Sequence, residues 1–276
     1  MLPDALVERS AAEVCSVNFA ERWNVGRNQN GGVVLAMAST ALAAAVDKPH
    51  PLSVTGHYLR AVAAGPGVVR TSALRVGYST STGVAEVWQE DKERVRVLGT
   101  FGDHDARSAA SPVVDLPAAR IPDPERCTDL FGILLESPAG HRALTRSLQN
   151  YEIRVVPETG WGLDGRGRPS LSGWIRLRAV DTITADTLIA VADGFPPTLM
   201  STTELGWLPT LELTVHTLAR PAADEPWLRA ELRTQVVTSD LVEEEGELWD
   251  ATGRLVATFR QLALRLSGER HERKRQ

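Results

Sequence analysis

The stretch Leu52-Ser53-Val54-Thr55-Gly56-His57-Tyr58-Leu59 returns later in the chain as Leu211-Glu212-Leu213-Thr214-Val215-His216-Thr217-Leu218, at an offset of 159 residues. A second match follows each copy, because Val87-Trp88-Gln89 corresponds to Leu248-Trp249-Asp250 at an offset of 161 residues. Solenoid repeats have periods of roughly 20 to 50 residues, so this much longer period is that of a whole domain. The sequence therefore predicts a duplicated and fused domain, and two such copies can build one site where they meet.

An apolar segment from Gly32 to Val46 lies just before the first copy of the strand. It is shorter than the ~20 residues that a membrane span needs, and it contains Ser39 and Thr40. A helix that is apolar on every face must be covered on every face. Strand-like segments then follow at 52–60, 67–76, 82–89 and 94–101. This order predicts a strongly curved antiparallel sheet wrapped around one long helix.

The second half of the chain repeats that order. Residues 186–192 read as a helix with Thr184 or Asp186 as its cap. Strands are predicted at 210–219, 227–238, 242–249 and 254–266. Residues 151–180 resemble one or two further strands, interrupted by the loop Gly162–Pro169. Both halves thus belong to the α+β class.

Composition shifts divide the chain into four predicted regions. Residues 1–106 form an N-terminal domain and residues 150–267 a C-terminal domain. Residues 107–149 between them form a proline-rich linker with a short helix around His141–Leu148. Residues 268–276 form a charged tail, which we expect to be solvated.

The composition is that of a soluble globular protein, with 43% hydrophobic and 24% charged residues among 276. The net charge of −5 provides no general attraction for nucleic acid. The N-terminus lacks the basic start and apolar core of a signal peptide. The two cysteines, Cys15 and Cys127, are far apart and have no histidine close by, which predicts no metal site and a reduced compartment. We therefore expect a soluble, cytoplasmic protein without a membrane span.

Three polar residues are candidates for chemistry. Asp193 follows the apolar segment Leu188–Ala192, where a carboxylate is costly to bury unless it is paired or used, although a solvent-facing helix end explains it slightly better from pattern alone. Thr210 opens the repeated strand, where an ordinary strand threonine is the more common interpretation. Gln261 alternates with Phe259 and Ala263, so it faces the core and needs a partner, and an ordinary structural hydrogen bond would satisfy it.

Two glycines mark the start of the first helix. Gly31 and Gly32 follow Asn28-Gln29-Asn30. The unpaired N–H groups of a helix start can hold a developing oxyanion, and a flexible cap is an equally good explanation. His57 and His216 occupy equivalent positions of the repeat, which favours a structural role for both.

These motifs, in this order, resemble the double-hotdog acyl-CoA thioesterases over nearly the whole chain apart from the linker and tail. The matching segments are Trp23-Asn24-Val25-Gly26, Asn30-Gly31-Gly32, Pro51–Arg60, Ala192-Asp193-Gly194-Phe195-Pro196-Pro197, Pro209–His216, Leu248-Trp249-Asp250, Gly253–Ala257 and Arg260–Leu264. Each motif alone is weak, whereas their order across two repeats is specific.

The resemblance implies two fused hotdog domains that hydrolyse acyl-CoA to a free fatty acid and CoA. It places the Asp, Thr and Gln that bind and activate water at Asp193, Thr210 and Gln261, with no cofactor and no metal. It also implies a homo-oligomer, since hotdog sheets commonly continue across subunits. Two alternatives remain: a non-catalytic acyl-CoA or lipid-binding protein, and a hydratase or dehydratase that would need a histidine such as His57 or His216 near Asp193.

Overall fold

The computed structural model describes residues 6–11, 13–106, 116–118, 120–136, 145–178, 180–202, 208–222 and 225–265. The predicted charged tail 268–276 lies outside these ranges. Parts of the predicted linker, including residues 141–144 of the short helix, and the segment 203–207 before Thr210 also lie outside them.

The first half contains one long helix followed by a meander of four strands, as the sequence predicts. Its elements are β1 (Leu6–Ala11), β2 (Val14–Phe19), β3 (Asn24–Val25), β4 (Asn28–Gln29), α1 (Gly31–Val46), β5 (His50–Tyr58), β6 (Gly65–Arg75), β7 (Ser81–Gln89) and β8 (Lys92–Gly102).

The second half repeats the helix and the four strands. Between the halves lie β9 (Thr128–Asp129), α2 (Leu130–Leu135) and α3 (Thr145–Leu148). The elements that follow are β10 (Tyr151–Val155), β11 (Trp161–Leu163), β12 (Pro169–Leu177), α4 (Ala185–Ala192), a 3₁₀ helix at Thr198–Ser201, β13 (Thr210–Thr217), β14 (Leu228–Val237), β15 (Leu241–Asp250) and β16 (Leu255–Leu264). The prediction of one or two strands in 151–180 was wrong, because three form there. The helix α2 was not predicted, since its six residues are too few to show a helical period.

One antiparallel sheet of 14 strands runs through both halves in the order β1-β2-β6-β7-β8-β5-β13-β16-β15-β14-β12-β10-β9, with β11 on β12. The halves join where β5 pairs with β13. These are the two copies of the strand repeated in the sequence. Within the described ranges, no helix is long and apolar enough to cross a membrane.

The junction between the halves has a local two-fold relationship. Thr55 stands opposite Thr214, its own equivalent in the repeat, and their hydroxyl oxygens are 2.8 Å apart. His57 pairs with Glu212, and Ser53 pairs with His216 in the exchanged positions. Equivalent strands therefore meet antiparallel about an axis between the two threonines.

The helix α1 is the centre of the first half. Asn30 caps it by accepting a hydrogen bond from the Val33 N–H at 3.0 Å. Residues 32–39 are all buried, and only Ala44 within the helix is exposed. Strands β5 to β8 pack on one side and α4 packs on another. The predicted all-round burial of the apolar segment is thus confirmed except in its last turn.

Candidate active site

A cavity of about 380 Å³ lies where the two halves meet. The first half contributes the residues around the start of α1 and the end of β5, and the second half contributes the end of α4 and parts of β13 to β16. Its walls are formed by Val25, Asn28, Gln29, Asn30, Gly31, Val34, Tyr58, Leu59, Arg60, Ala61, Val62, Ala192, Asp193, Phe195, Pro197, Leu208, Pro209, Thr210, Leu211, Leu232, Glu244, Gln261 and Leu264. Four of the five residues singled out as site candidates therefore share one cavity, and the fifth, Gly32, bonds to Asp193 in its wall.

Asp193 stands between the ends of two helices. It is the C-terminal cap of α4, and its carboxylate faces the N-terminus of α1. The Gly32 N–H donates to Asp193 Oδ2 at 2.7 Å, and Asn30 Nδ2 donates to the same oxygen at 3.0 Å. Asn30 Nδ2 also bonds to the Asp193 carbonyl at 2.8 Å. The positive end of α1 and these donors hold the carboxylate in a fixed orientation.

Burial raises the pKa of Asp193 to about 6, and the hydrogen bonds from Gly32, Asn30 and Gly31 oppose that rise. The group is therefore mostly ionised at neutral pH and more basic than an ordinary aspartate. A carboxylate with a pKa close to the working pH is suited to accept a proton from water.

Gly32 serves a purpose that the sequence analysis did not anticipate. A Cβ at this position would lie 2.5 Å from Asp193 Cβ and 3.0 Å from the Ile189 carbonyl oxygen. The glycine thus permits α1 to approach the end of α4. The Gly32 N–H donates to Asp193, so the group that lies close to the backbone at this glycine is the Asp193 carboxylate. The oxyanion role predicted for Gly31 and Gly32 stays a prediction.

Thr210 and Gln261 form a polar pair in the wall of the same cavity. Gln261 Nε2 donates to Thr210 Oγ1, and both side chains line the cavity. An irregularity in the pairing of β13 with β16 falls between Thr210 and Glu212, and such a bulge re-aims a side chain. Phe259 and Ala263 are buried on the same face of β16, so the predicted alternation is confirmed.

Tyr58 is a site residue that the sequence analysis missed. Its hydroxyl donates to the Gly31 carbonyl oxygen at 2.8 Å and lies beside the cavity. Burial raises the pKa of Tyr58 well above its ordinary value, and the charge of Asp193 raises it further, so the phenol stays neutral. Strand alternation was the available clue, because Val54 and Gly56 on the same strand are buried.

The repeated histidines point away from the cavity. His57 and His216 are both exposed, on the opposite face of the sheet from Tyr58. The suggestion that either could reach Asp193 was therefore wrong. A one-residue step along a strand reverses the face, and His57 directly precedes Tyr58.

Glu244 is the second residue that the sequence analysis missed. It lies directly opposite Gln261 across β15 and β16, and only 7% of it is exposed. Its Oε2 accepts hydrogen bonds from the Thr198 N–H at 2.7 Å and from the Thr198 hydroxyl at 2.6 Å. Burial raises the pKa of Glu244 to about 7, the bonds from Thr198 oppose this rise, and Asp193 adds to it. Strand alternation was the clue. Glu243 and Glu245 point to one face of β15 and Glu244 points to the other, so one face of this acidic run has to lie inward.

This burial predicts a specific pH dependence of stability for the Glu244→Gln variant. Folding raises the pKa of Glu244 from 4.5 to about 7, so the unfolded chain releases the proton first and the wild type loses stability as the pH rises through that interval. The amide variant keeps an acceptor for Thr198 and carries no charge. We expect its free energy of unfolding to gain up to roughly 3 kcal/mol relative to wild type between pH 4 and pH 8.

Urea unfolding of both proteins across that pH range measures the difference. The Glu245→Gln variant is a matched control, because Glu245 lies one residue away on the other face and pairs with Arg233. A wild-type-to-E244Q difference that stays constant with pH would contradict the assigned burial of the charge.

Comparison with known proteins places both halves in one family. Residues 19–102 match the acyl-CoA thioesterase N-terminal domain, and residues 124–265 match the acyl-CoA thioesterase C-terminal domain. Gly31 and Gly32 fall in the first match. Asp193, Thr210 and Gln261 fall in the second.

A relative in sequence and three solved structures each match nearly the whole chain. An uncharacterized protein of Mycobacterium tuberculosis is 28% identical over 283 residues, covering 92% of this chain and 91% of its own. A candidate thioesterase II from Thermobifida fusca superposes with a TM-score of 0.82 at 24% identity, over 97% of this chain and 100% of its own. A protein of unknown function with a hot dog fold from Alicyclobacillus acidocaldarius gives 0.82 at 19% identity, over 96% and 97%. An acyl-CoA thioesterase II from Mycobacterium marinum gives 0.72 at 19% identity, over 95% and 96%.

Proposed function

The chain belongs to the acyl-CoA thioesterase family, since it matches that family's N- and C-terminal domains in order. From this premise we propose that it hydrolyses acyl-CoA thioesters to a free fatty acid and CoA, with a water activated by Asp193, Thr210 and Gln261. The observation that carries the proposal is the meeting of these three side chains in one cavity between the halves.

In this mechanism Asp193 accepts a proton from the attacking water. Thr210 and Gln261 hold that water by hydrogen bonds. The water oxygen bonds to the thioester carbonyl carbon, and the resulting oxyanion lies near the N-terminus of α1, where the helix dipole is positive. Collapse breaks the carbon–sulfur bond and expels CoA thiolate, which takes up the proton from Asp193. A thiolate leaves readily, so the mechanism needs no histidine as a general acid.

We further propose that the chain is a double hotdog with domains at 1–106 and 150–267 joined by 107–149. The two-fold pairing of β5 with β13 supports a duplication, because equivalent residues of the repeat face each other there. The helix-then-meander order in each half supports it as well. Solved structures with a hot dog fold superpose over nearly the whole chain.

The direct test is the release of thiol from a panel of acyl-CoAs that differ in chain length. We expect release, with a preference set by the apolar wall around Val34, Leu208 and Leu232. Tight binding without thiol release from any member of the panel would instead favour the non-catalytic acyl-CoA-binding protein. Conversion of an enoyl thioester without thiol release would favour a hydratase. No histidine is found among the described residues that line the cavity, which argues against that last function.

The pH dependence of hydrolysis follows from the pKa of Asp193. Below about 6 the carboxylate is protonated and cannot accept a proton from water. We expect kcat/KM to rise about tenfold per pH unit below that value and to level off above it. Measurement between pH 4.5 and pH 8 checks the profile, with the Glu244→Gln variant used to remove the second buried acid. A profile that falls as the pH rises through 6 would contradict the role of Asp193 as the base.

A further inference from the structure

Glu244 introduces a carboxyl group into a wall that is otherwise mainly apolar. Next to the main cavity is a recess of about 20 Å³, and Glu244 and Gln261 line both spaces. The other walls of the recess are Pro197, Leu208, Val242 and Ala263. Its volume is that of about one water molecule, so it fits a single small polar group and no further length of chain.

Among the described residues, the carboxyl group accepts hydrogen bonds through only one of its two oxygens. The N–H and the hydroxyl of Thr198 both donate to Oε2. Within the part of the chain that the structure describes, no group donates to Oε1. An oxygen that loses its water and gains no other partner costs roughly 1–3 kcal/mol, so an unsubstituted alkyl chain placed against Oε1 would be penalised.

We infer that the acyl chain accepted by this site carries a hydroxyl group that bonds Glu244 Oε1, an assignment that rests on the proposed thioesterase function. A hydroxyl both donates and accepts, so it suits the carboxylate as well as the carboxylic acid. Both forms matter here, because burial raises the pKa of Glu244 to about 7.

The position of Glu244 also limits where the hydroxyl lies on the chain. Directly paired residues in adjacent strands have Cβ atoms roughly 5 Å apart, and Glu244 is paired with Gln261. Gln261 holds the attacking water in the proposed mechanism. The hydroxyl therefore lies only a few carbons from the thioester carbonyl, and not at the far end of a long chain.

The test compares kcat/KM for acyl-CoAs of equal length with and without a hydroxyl, placed at successive carbons from carbon 3 onwards. In the wild type we expect about a tenfold preference for one hydroxylated isomer, as one hydrogen bond to a charged group provides. The Glu244→Met variant should lose that preference. Glu244→Gln should retain most of it, because its amide can accept from Thr198 and donate to the hydroxyl. Glu245→Gln on the opposite face should leave the ratio unchanged.

The outcomes separate the two proposals. Thiol release with equal kcat/KM for the hydroxylated and plain chains overturns the hydroxyl assignment and leaves the thioesterase intact. An unchanged preference in a folded Glu244→Met protein overturns it as well. Should that variant fail to fold, loss of the preference in a folded Glu244→Gln protein would overturn it instead. Absence of thiol release from every acyl-CoA is a failure of the thioesterase proposal itself.

Discussion

The Asp193→Asn variant is expected to lose about 10²- to 10⁴-fold in kcat for acyl-CoA hydrolysis while remaining folded. Asparagine is nearly isosteric and can still accept the Gly32 N–H bond, which is 2.7 Å long in the wild type. It cannot accept a proton from water at any pH near neutrality. Since burial raises the pKa of Asp193, the carboxylate is a cost to the folded state, so its removal should not lower stability at neutral pH.

Thiol release and thermal unfolding measured on the same preparations test this expectation. Asp186→Asn is the matched control, because Asp186 lies on the same helix α4 but does not line the cavity. We expect the control to retain wild-type activity. Full activity in Asp193→Asn would exclude Asp193 as the base. If the variant does not fold, the pH dependence of kcat/KM in the wild type tests the role of Asp193 instead.

The second large effect is expected from Gly32→Ala. The added Cβ would lie 2.5 Å from Asp193 Cβ and 3.0 Å from a backbone carbonyl of α4, and neither can yield without moving a helix. Overpacking of this kind costs about 1–3 kcal/mol, whereas the better helix propensity of alanine returns at most about 1 kcal/mol. Separation of α1 from α4 would also displace Asp193 from its donors, so activity should fall together with stability.

Gly162→Ala is the matched control for this substitution. A Cβ at Gly162 meets no atom within 4 Å, so the same chemical change is made in open space. We expect a lowered melting temperature and lowered kcat for Gly32→Ala only. Wild-type values for both quantities in Gly32→Ala would show that the helices move apart without cost and that their contact does not position the carboxylate.

Much of the fold follows from local pattern in the sequence. The apolar segment that begins at Gly32 becomes α1, and the twin copies of one strand become β5 and β13. Thr184 caps α4 through a reciprocal pair of bonds with Thr187, as its residue type indicates. These features depend on neighbours a few residues away, and sequence periodicity records such neighbours directly.

The missed parts of the site depend on contacts between distant residues. Glu244 accepts hydrogen bonds from the N–H and hydroxyl of Thr198, a pairing across 46 positions. The contact of Gly32 with Asp193 spans 161 positions and depends on how two helices cross. Tyr58 and His57 are neighbours on one strand and point to opposite faces of the sheet, and the register of that strand determines which of them faces the cavity. Alternation along a strand indicates which face a residue occupies, but residue type and spacing do not record which distant residue it meets there.

The two-fold pairing of β5 with β13 has a consequence for stoichiometry. At the repeat offset of 159 residues, Pro51 is the equivalent of Thr210. Leu213 pairs with Gln261 and its equivalent Val54 pairs with Gly99, so Gly99 is the equivalent of Gln261. Neither Pro51 nor Gly99 has a polar side chain. Under the proposed duplication, a symmetric ancestor built from two identical units would have held two such polar pairs, whereas the described residues hold the pair at only one of the two equivalent places. On the proposed duplication and thioesterase function, one copy serves as scaffold, and each chain is expected to turn over one substrate at a time.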